Sequence, residues 1–141
     1  MTLHRHAVAD ALEALLKRVF PNAEVKRDAE APSRPPAGGL VILRDSDPGE
    51  PEVTLSPLSY SYNHAFGVEI VSPSATGSHG LGDMLAELGE VIEGARDLGG
   101  LTEWLEATAP DLDDLAAAGA PSVATAMFDL IATYTIPSPL H

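Results

Sequence analysis

Along the first twenty residues the apolar positions Val8, Leu12, Leu15 and Val19 recur at spacings of four and three, with Arg5, Glu13 and Lys17 on other faces of the same cylinder. This pattern predicts an amphipathic helix, with a Glu13–Lys17 pair across one turn and a stop at Pro21-Asn22. Ala23 to Arg27 then reads as a short, charged edge strand. The stretch DAEAPSRPPAG, residues 28 to 38, mixes prolines, charges and small residues and is expected to be an exposed loop that orders on assembly. Leu40 to Leu43 is an unbroken apolar run before the turn-rich DSDPGEPE. It predicts a buried strand entering a hairpin whose return begins near Glu52, with Val53 and Leu55 facing inward.

The clearest period-two signal follows. Leu58, Tyr60, Tyr62, His64, Phe66, Val68 and Ile70 share one parity, and Ser61, Asn63, Gly67 and Glu69 share the other. A long strand is expected, with Gly67 the candidate for a bend or bulge. After a loop at 72–79, Leu81, Leu85, Leu88 and Ile92 predict a second helix ending at Gly99-Gly100. Gly82, Gly89 and Gly94 inside it each cost about 1 kcal/mol of helix propensity, which close approach to a sheet would explain. Leu101 to Glu106, with the only Trp, reads as a short strand. The acidic, Ala-rich stretch 107–121 reads as a loop or a single helical turn. Ala124, Ala126, Phe128, Leu130, Ala132, Tyr134 and Ile136 hold one parity until Pro137, giving a second long strand. Helix, four strands, helix, two strands favours an α+β domain over residues 1–141: a mainly antiparallel sheet of five to six strands with both helices on one face.

Composition narrows the function. The 141 residues match the length of one domain. Twenty-one Asp and Glu oppose eight Lys and Arg, a formal charge of −13 that works against general affinity for phosphate backbones. No apolar run reaches the roughly 18 residues of a membrane span, and MTLHRHAVAD lacks a signal-peptide pattern, so a cytoplasmic protein without a membrane partner is expected. The absence of Cys excludes disulfides, thiolate metal sites and cysteine nucleophiles.

Candidate chemistry is sparse. Asp45, Asp47 and Glu50 surround Pro48-Gly49 and lack the twelve-residue EF-hand pattern, so a solvated turn is the better reading. Asp111, Asp113 and Asp114 are read the same way. His4 and His6 lie about 200° apart on a helix, which prevents joint metal coordination and suggests a frayed start. His64, between Tyr62 and Phe66 on the apolar parity, reads as a hydrogen-bonded core or interface histidine rather than a general base. SATGSHGLG, residues 74–82, lacks the Lys-Ser/Thr of a P-loop and the spacing of a dinucleotide fingerprint. Tyr60, Tyr62, Phe66 and Tyr134 lack the basic groove that base-stacking platforms use, and read as core or protein-interface residues. No catalytic, cofactor-binding or metal site is expected.

Two segments carry a resemblance: GGLVILRDSDPGEPEVTLSPLSY, residues 38–60, and the closing TYTIPSPL, residues 133–140. With LGGLTEWLEATAPDLDDL between them, they resemble a family of short proteins from prophages and gene-transfer agents that is similar to the tail terminators of long-tailed phages. The resemblance implies a structural virion protein: a homo-oligomeric ring, commonly sixfold, that caps the tail tube, stops its growth and joins it to the head. It implies as partners a second copy of the chain, the tail tube protein and head–tail connector proteins, with DNA passing through the lumen unbound. The protein would be cytoplasmic during assembly and then part of the virion tail or neck. Arg44, Tyr60, Tyr62, Phe66 and Tyr134 become the candidates for self-assembly or tail contact. A head-completion or connector role is the alternative. Acyl-CoA transfer, a label that automated naming attaches to some members, is the competing enzymatic reading, and no CoA-binding pattern is present.

Overall fold

The computed structural model describes residues 2–30, 36–73, 80–115 and 123–141. Residues 31–35 of the loop expected at 28–38, 74–79 of the loop expected at 72–79, and the end of the stretch 107–121 lie outside the described residues. The element order is α1 (His4–Val19), β1 (Glu24–Arg27), β2 (Leu40–Arg44), β3 (Glu52–Leu55), β4 (Leu58–Ser72), α2 (Leu81–Glu93), β5 (Trp104–Ala107), β6 (Asp111–Leu115) and β7 (Val123–Ile136), with a short 3-10 turn at Leu98–Gly100 before β5.

The two long parity runs form the centre of the sheet. β4 and β7 pair antiparallel in unbroken register from Tyr60 opposite Ile136 to Ser72 opposite Ala124. Their even-numbered side chains, among them Phe66, Ile70, Ala126, Leu130 and Tyr134, face α1 and α2 and make the main core with Val41 and Leu43. Burying a side chain such as Phe66 or Leu130 contributes roughly 1.5–3 kcal/mol, so this two-strand spine anchors the fold. Gly67 makes no bulge, because the β4–β7 register runs straight through it. It lies opposite Arg44, at the place where β2 ends.

The sheet order is β1-β2-β4-β7-β5, with β3 also paired to β4 and β6 also paired to β7. Only β1–β2 is parallel among these pairs. The result is an α+β fold with two helices on one face of a seven-stranded mixed sheet. Each long strand is flanked on its outer side by two short ones in tandem: β2 and β3 along β4, β6 and β5 along β7.

Several expectations are corrected. The stretch after Ala107 holds strand β6, whose Asp111-Leu112-Asp113 alternation is invisible to a burial-based reading because all three residues are exposed. Val53 and Leu55 do not face inward: all four residues of β3 are exposed, since the β3–β4 hairpin extends beyond the reach of the helices. In α2, Met84 joins Leu81, Leu88 and Ile92 in the core while Leu85 is only half-buried, and the helix stops at Glu93 with Gly94 as its C-cap. Gly99 and Gly100 instead adopt positive φ (69° and 94°) in the following turn, a conformation that favours glycine. Gly82 and Gly89 face open space, so close packing against the sheet does not account for them. Close approach occurs at Gly38, where a Cβ would stand 1.9 Å from the Asn22 carbonyl oxygen.

The helix start is pinned rather than frayed. The His4 N–H donates to the His141 carbonyl (2.9 Å), its Nε2 bonds the Leu101 carbonyl (2.8 Å), and its ring lies 4.8 Å from that of Tyr134. Among the described residues, no helix is long and apolar enough to cross a membrane.

Candidate functional site

The strongest buried polar feature is His64, 1% exposed on the core side of β4. Its Nε2 lies 2.7 Å from the Ser46 carbonyl and its Nδ1 lies 3.0 Å from the Tyr134 hydroxyl. A carbonyl only accepts, so Nε2 carries the proton and Tyr134 donates to Nδ1. The ring also stacks on Phe66 at 4.0 Å. Burial lowers the His64 pKa from the ordinary histidine value; the Ser46 hydrogen bond and the neighbouring Asp45 and Asp47 oppose that shift, and Arg5 adds to it. Burial also pushes the Tyr134 phenol up to about 12. Both ring nitrogens are occupied, so His64 has no free lone pair to serve as a base.

This pair ties the 45–51 loop to the sheet. β2 ends at Arg44 and β3 starts at Glu52, leaving the outer edge of β4, away from β7, without a strand neighbour from Tyr62 to Phe66 among the described residues. The loop fills the gap: Ser46 Oγ bonds the Ala65 carbonyl, Asp45 accepts from Arg27 (3.1 Å), and the Asp45 N–H donates to Asp28 (2.9 Å). Asp45 is therefore a structural anchor, not merely a solvated turn residue. A cavity of about 340 Å³ lies beside it, lined by Arg5, His6, Asp45, Ser46, Asp47 and His64. Among the described residues no group of three or more His, Asp or Glu is placed to hold a metal ion.

The five residues expected to make contacts do not form one patch. Phe66, Tyr134 and Tyr62 are buried in the main core, where they offer almost no surface to a partner. Tyr60 is half-buried near the start of β4. Arg44 bonds Glu69 (2.8 Å) and the Ala29 carbonyl (3.1 Å), and lines a cavity of about 240 Å³ with Thr108, Met127 and Asp129.

The exposed apolar side chains lie elsewhere. At the β3–β4 hairpin, Val53 (48% exposed), Leu55 (79%) and Leu58 (48%) project from one side of the sheet. On the β7 flank, Leu112 of β6 is 64% exposed on the helix-side face, opposite Ala126, whereas Trp104 of β5 lies on the other face, opposite Thr133, and carries the Arg96 guanidinium 4.4 Å above its ring. Sequence reading missed these residues because strand periodicity marks alternation, not which alternate face a helix covers. The signal present was the position of Val53 and Leu55 beside a turn, well away from the Tyr62–Ile70 run.

Charge is divided along the chain. Residues 1–44 hold seven of the eight Lys and Arg against five Asp and Glu, a net +2, whereas residues 45–141 hold one against sixteen, a net −15. The ion pairs of the described residues use Lys17, Lys26, Arg27 and Arg44 as cations. Among those residues, no carboxylate of α2 or β5, and neither Asp111 nor Asp113 of β6, has a cation within pairing distance.

No protein-family model and no curated protein matches the chain. One solved structure is similar over 92% of this chain and 93% of its own, at 18% identity and a TM-score of 0.47, a likeness that identifies neither a family nor an activity.

Proposed function

We propose that the protein is a tail terminator: a structural subunit that assembles into a ring on the end of a phage-type tail tube, stops its elongation and presents a surface to the head. The observation that carries the reading is the exposure of different apolar residues along the two outer flanks of one sheet, Val53, Leu55 and Leu58 on the β3 flank and Leu112 on the β6 flank. A cyclic assembly requires two unlike patches per subunit, because each subunit meets its neighbours head to tail. The resemblance of residues 38–60 and 133–140 to terminator-like proteins of prophages and gene-transfer agents supports the same reading. So does the net charge of −13, which suits a ring through which DNA slides without adhering.

The test is the tail-length distribution, by electron microscopy, of particles from a producing strain with this gene deleted. Overlong or irregular tails without heads are expected. Normal tails on intact particles would overturn the proposal. Filled heads beside tails of normal length would favour a head-completion role, and saturable CoA binding by the purified protein would favour the enzymatic one.

A further inference from the structure

The pairing registers place five strands in common rows across the upper half of the sheet. One row runs Val25, Val41, Ile70, Ala126, Leu112; the next runs Lys26, Ile42, Glu69, Met127, Asp111. Each row begins on β1 and ends on β6, and neither of these strands has a strand neighbour on its outer side among the described residues. β1 and β6 also run in opposite directions, as follows from one parallel and three antiparallel steps between them.

Backbone polarity matches as well. Glu24 N–H reaches the Gly39 carbonyl (3.0 Å) and Asp28 N–H reaches the Leu43 carbonyl (2.9 Å). By strand alternation, Val25 turns its N–H and C=O away from β2. On the other side, the Thr133 carbonyl accepts from Glu103 (2.7 Å) and the Asp129 carbonyl accepts from Thr108 (2.9 Å), so the odd-numbered residues of β7 face β5 and β6. Asp111 and Asp113 stand opposite Met127 and Thr125, so they bond to β7 and Leu112 turns its N–H and C=O outward.

We infer that the β1 edge of one copy adds antiparallel to the β6 edge of the next, with Val25 and Leu112 as a hydrogen-bonded pair, so that the sheet continues across the subunit boundary. This inference rests on the ring reading and names the surfaces that close the ring. The side chains agree with it: Val25 meets the exposed Leu112, and Lys26 meets Asp111. Glu24 faces Asp113 in the same arrangement, a like pair with Lys26 beside it. On the helix side, α1 packs against β1 and α2 against β5. The contact therefore sets α1, with Arg5, Lys17 and Arg18 against Asp10 and Glu13, beside an α2 that carries Asp83, Glu87, Glu90 and Glu93 and no cation. Pairing of an open strand edge with the opposite edge of a neighbour is heterologous, as ring closure requires.

The chain has no cysteine, so engineered thiols report one contact each. Lys26→Cys and Asp111→Cys are made separately in the full chain. Their Cα atoms in a non-hydrogen-bonded antiparallel pair would be about 4.5 Å apart, within disulfide reach. Mixed under oxidation, these two variants are expected to form a disulfide at least tenfold faster than Glu52→Cys with Asp111→Cys, the pair that would be favoured instead if the β3 hairpin rather than β1 met β6. The K26C/D111C double variant should give a ladder of linked species ending at a closed ring. Lys26→Asp should lower the sedimenting mass of the assembly, and Asp111→Lys in the same chain should restore it. Equal cross-linking rates, while sedimentation still shows an assembly, would overturn the β1–β6 pairing and leave the ring standing. Single subunits at all concentrations, with no preferred cross-link, would also overturn the pairing, and the tail-length experiment then judges the ring by itself.

Discussion

The Tyr134 hydroxyl donates to Nδ1 of His64 across 3.0 Å, joining the two central strands inside the core. The other nitrogen of the same ring holds the 45–51 loop through Ser46. Removing the donor leaves a buried acceptor unmet, at a cost of about 1–3 kcal/mol. Tyr134→Phe, which keeps the ring and its packing, should lower the urea midpoint accordingly without changing the slope of the transition.

The same histidine makes stability depend on pH. In the unfolded chain His64 titrates near its ordinary value of about 6.5, while burial lowers its pKa in the folded protein. Between the two values the unfolded state holds more protons, so stability falls as pH falls. The contribution is fully present above about pH 6.5 and is lost as pH drops through the folded-state pKa. Urea midpoints at pH 7.5 and 5.5 should show a larger acid loss for the native protein than for His64→Phe; equal losses would remove His64 as the cause.

The parity of His64 was legible in the sequence, but its partner was not, because Tyr134 lies 70 residues further along. The same contrast holds for the fold. The alternation of Tyr62 to Ile70 and of Ala124 to Ile136 is visible because helices cover one face of both strands and water or loops cover the other. Strand β3 is expected from the sequence, but with no buried side to mark its orientation Val53 reads as core, and the exposed Asp111-Leu112-Asp113 of β6 reads as a loop. The charge division was countable in the chain. What the chain order does not show is that β1 and β6 stand at opposite edges of the sheet.

The glycines divide by their surroundings. A Cβ at Gly38 would overlap the Asn22 carbonyl, whereas at Gly89, inside α2, it would meet nothing within 4 Å. Gly89→Ala should therefore raise stability by about 1 kcal/mol through helix propensity. Gly38→Ala should destabilise, since the obstacle is backbone, not a side chain that can move. Thermal unfolding of the two variants compares them directly, and a destabilised Gly89→Ala would contradict the open surroundings of that residue.

Leu55 is 79% exposed at the hairpin, so Leu55→Asp removes little buried surface from the subunit. Its unfolding free energy should stay within about 0.5 kcal/mol of the native value, as for ordinary surface changes. Under the terminator proposal, particles carrying this variant should nevertheless show the tail defect of the deletion. Normal particles would remove the hairpin from the assembly surface.

The acidity of α2 is testable by a single charge reversal. Glu90 lies three residues from both Glu87 and Glu93, and no cation pairs with any of them among the described residues. Like charges at that spacing destabilise a helix by about 0.2–0.5 kcal/mol per pair, and opposite charges stabilise it by a similar amount. Glu90→Lys converts two repulsive pairs into attractive ones and places a cation in the C-terminal half of the helix, so stability should rise by roughly 1 kcal/mol at low salt. Screening shortens the Debye length from about 30 Å at 0.01 M to about 10 Å at 0.1 M, so the gain should shrink when salt is added. If the stabilised variant still assembles normally, the acidity of this helix face is dispensable. A stable subunit that no longer assembles would instead mark α2 as a surface whose charge is used between copies.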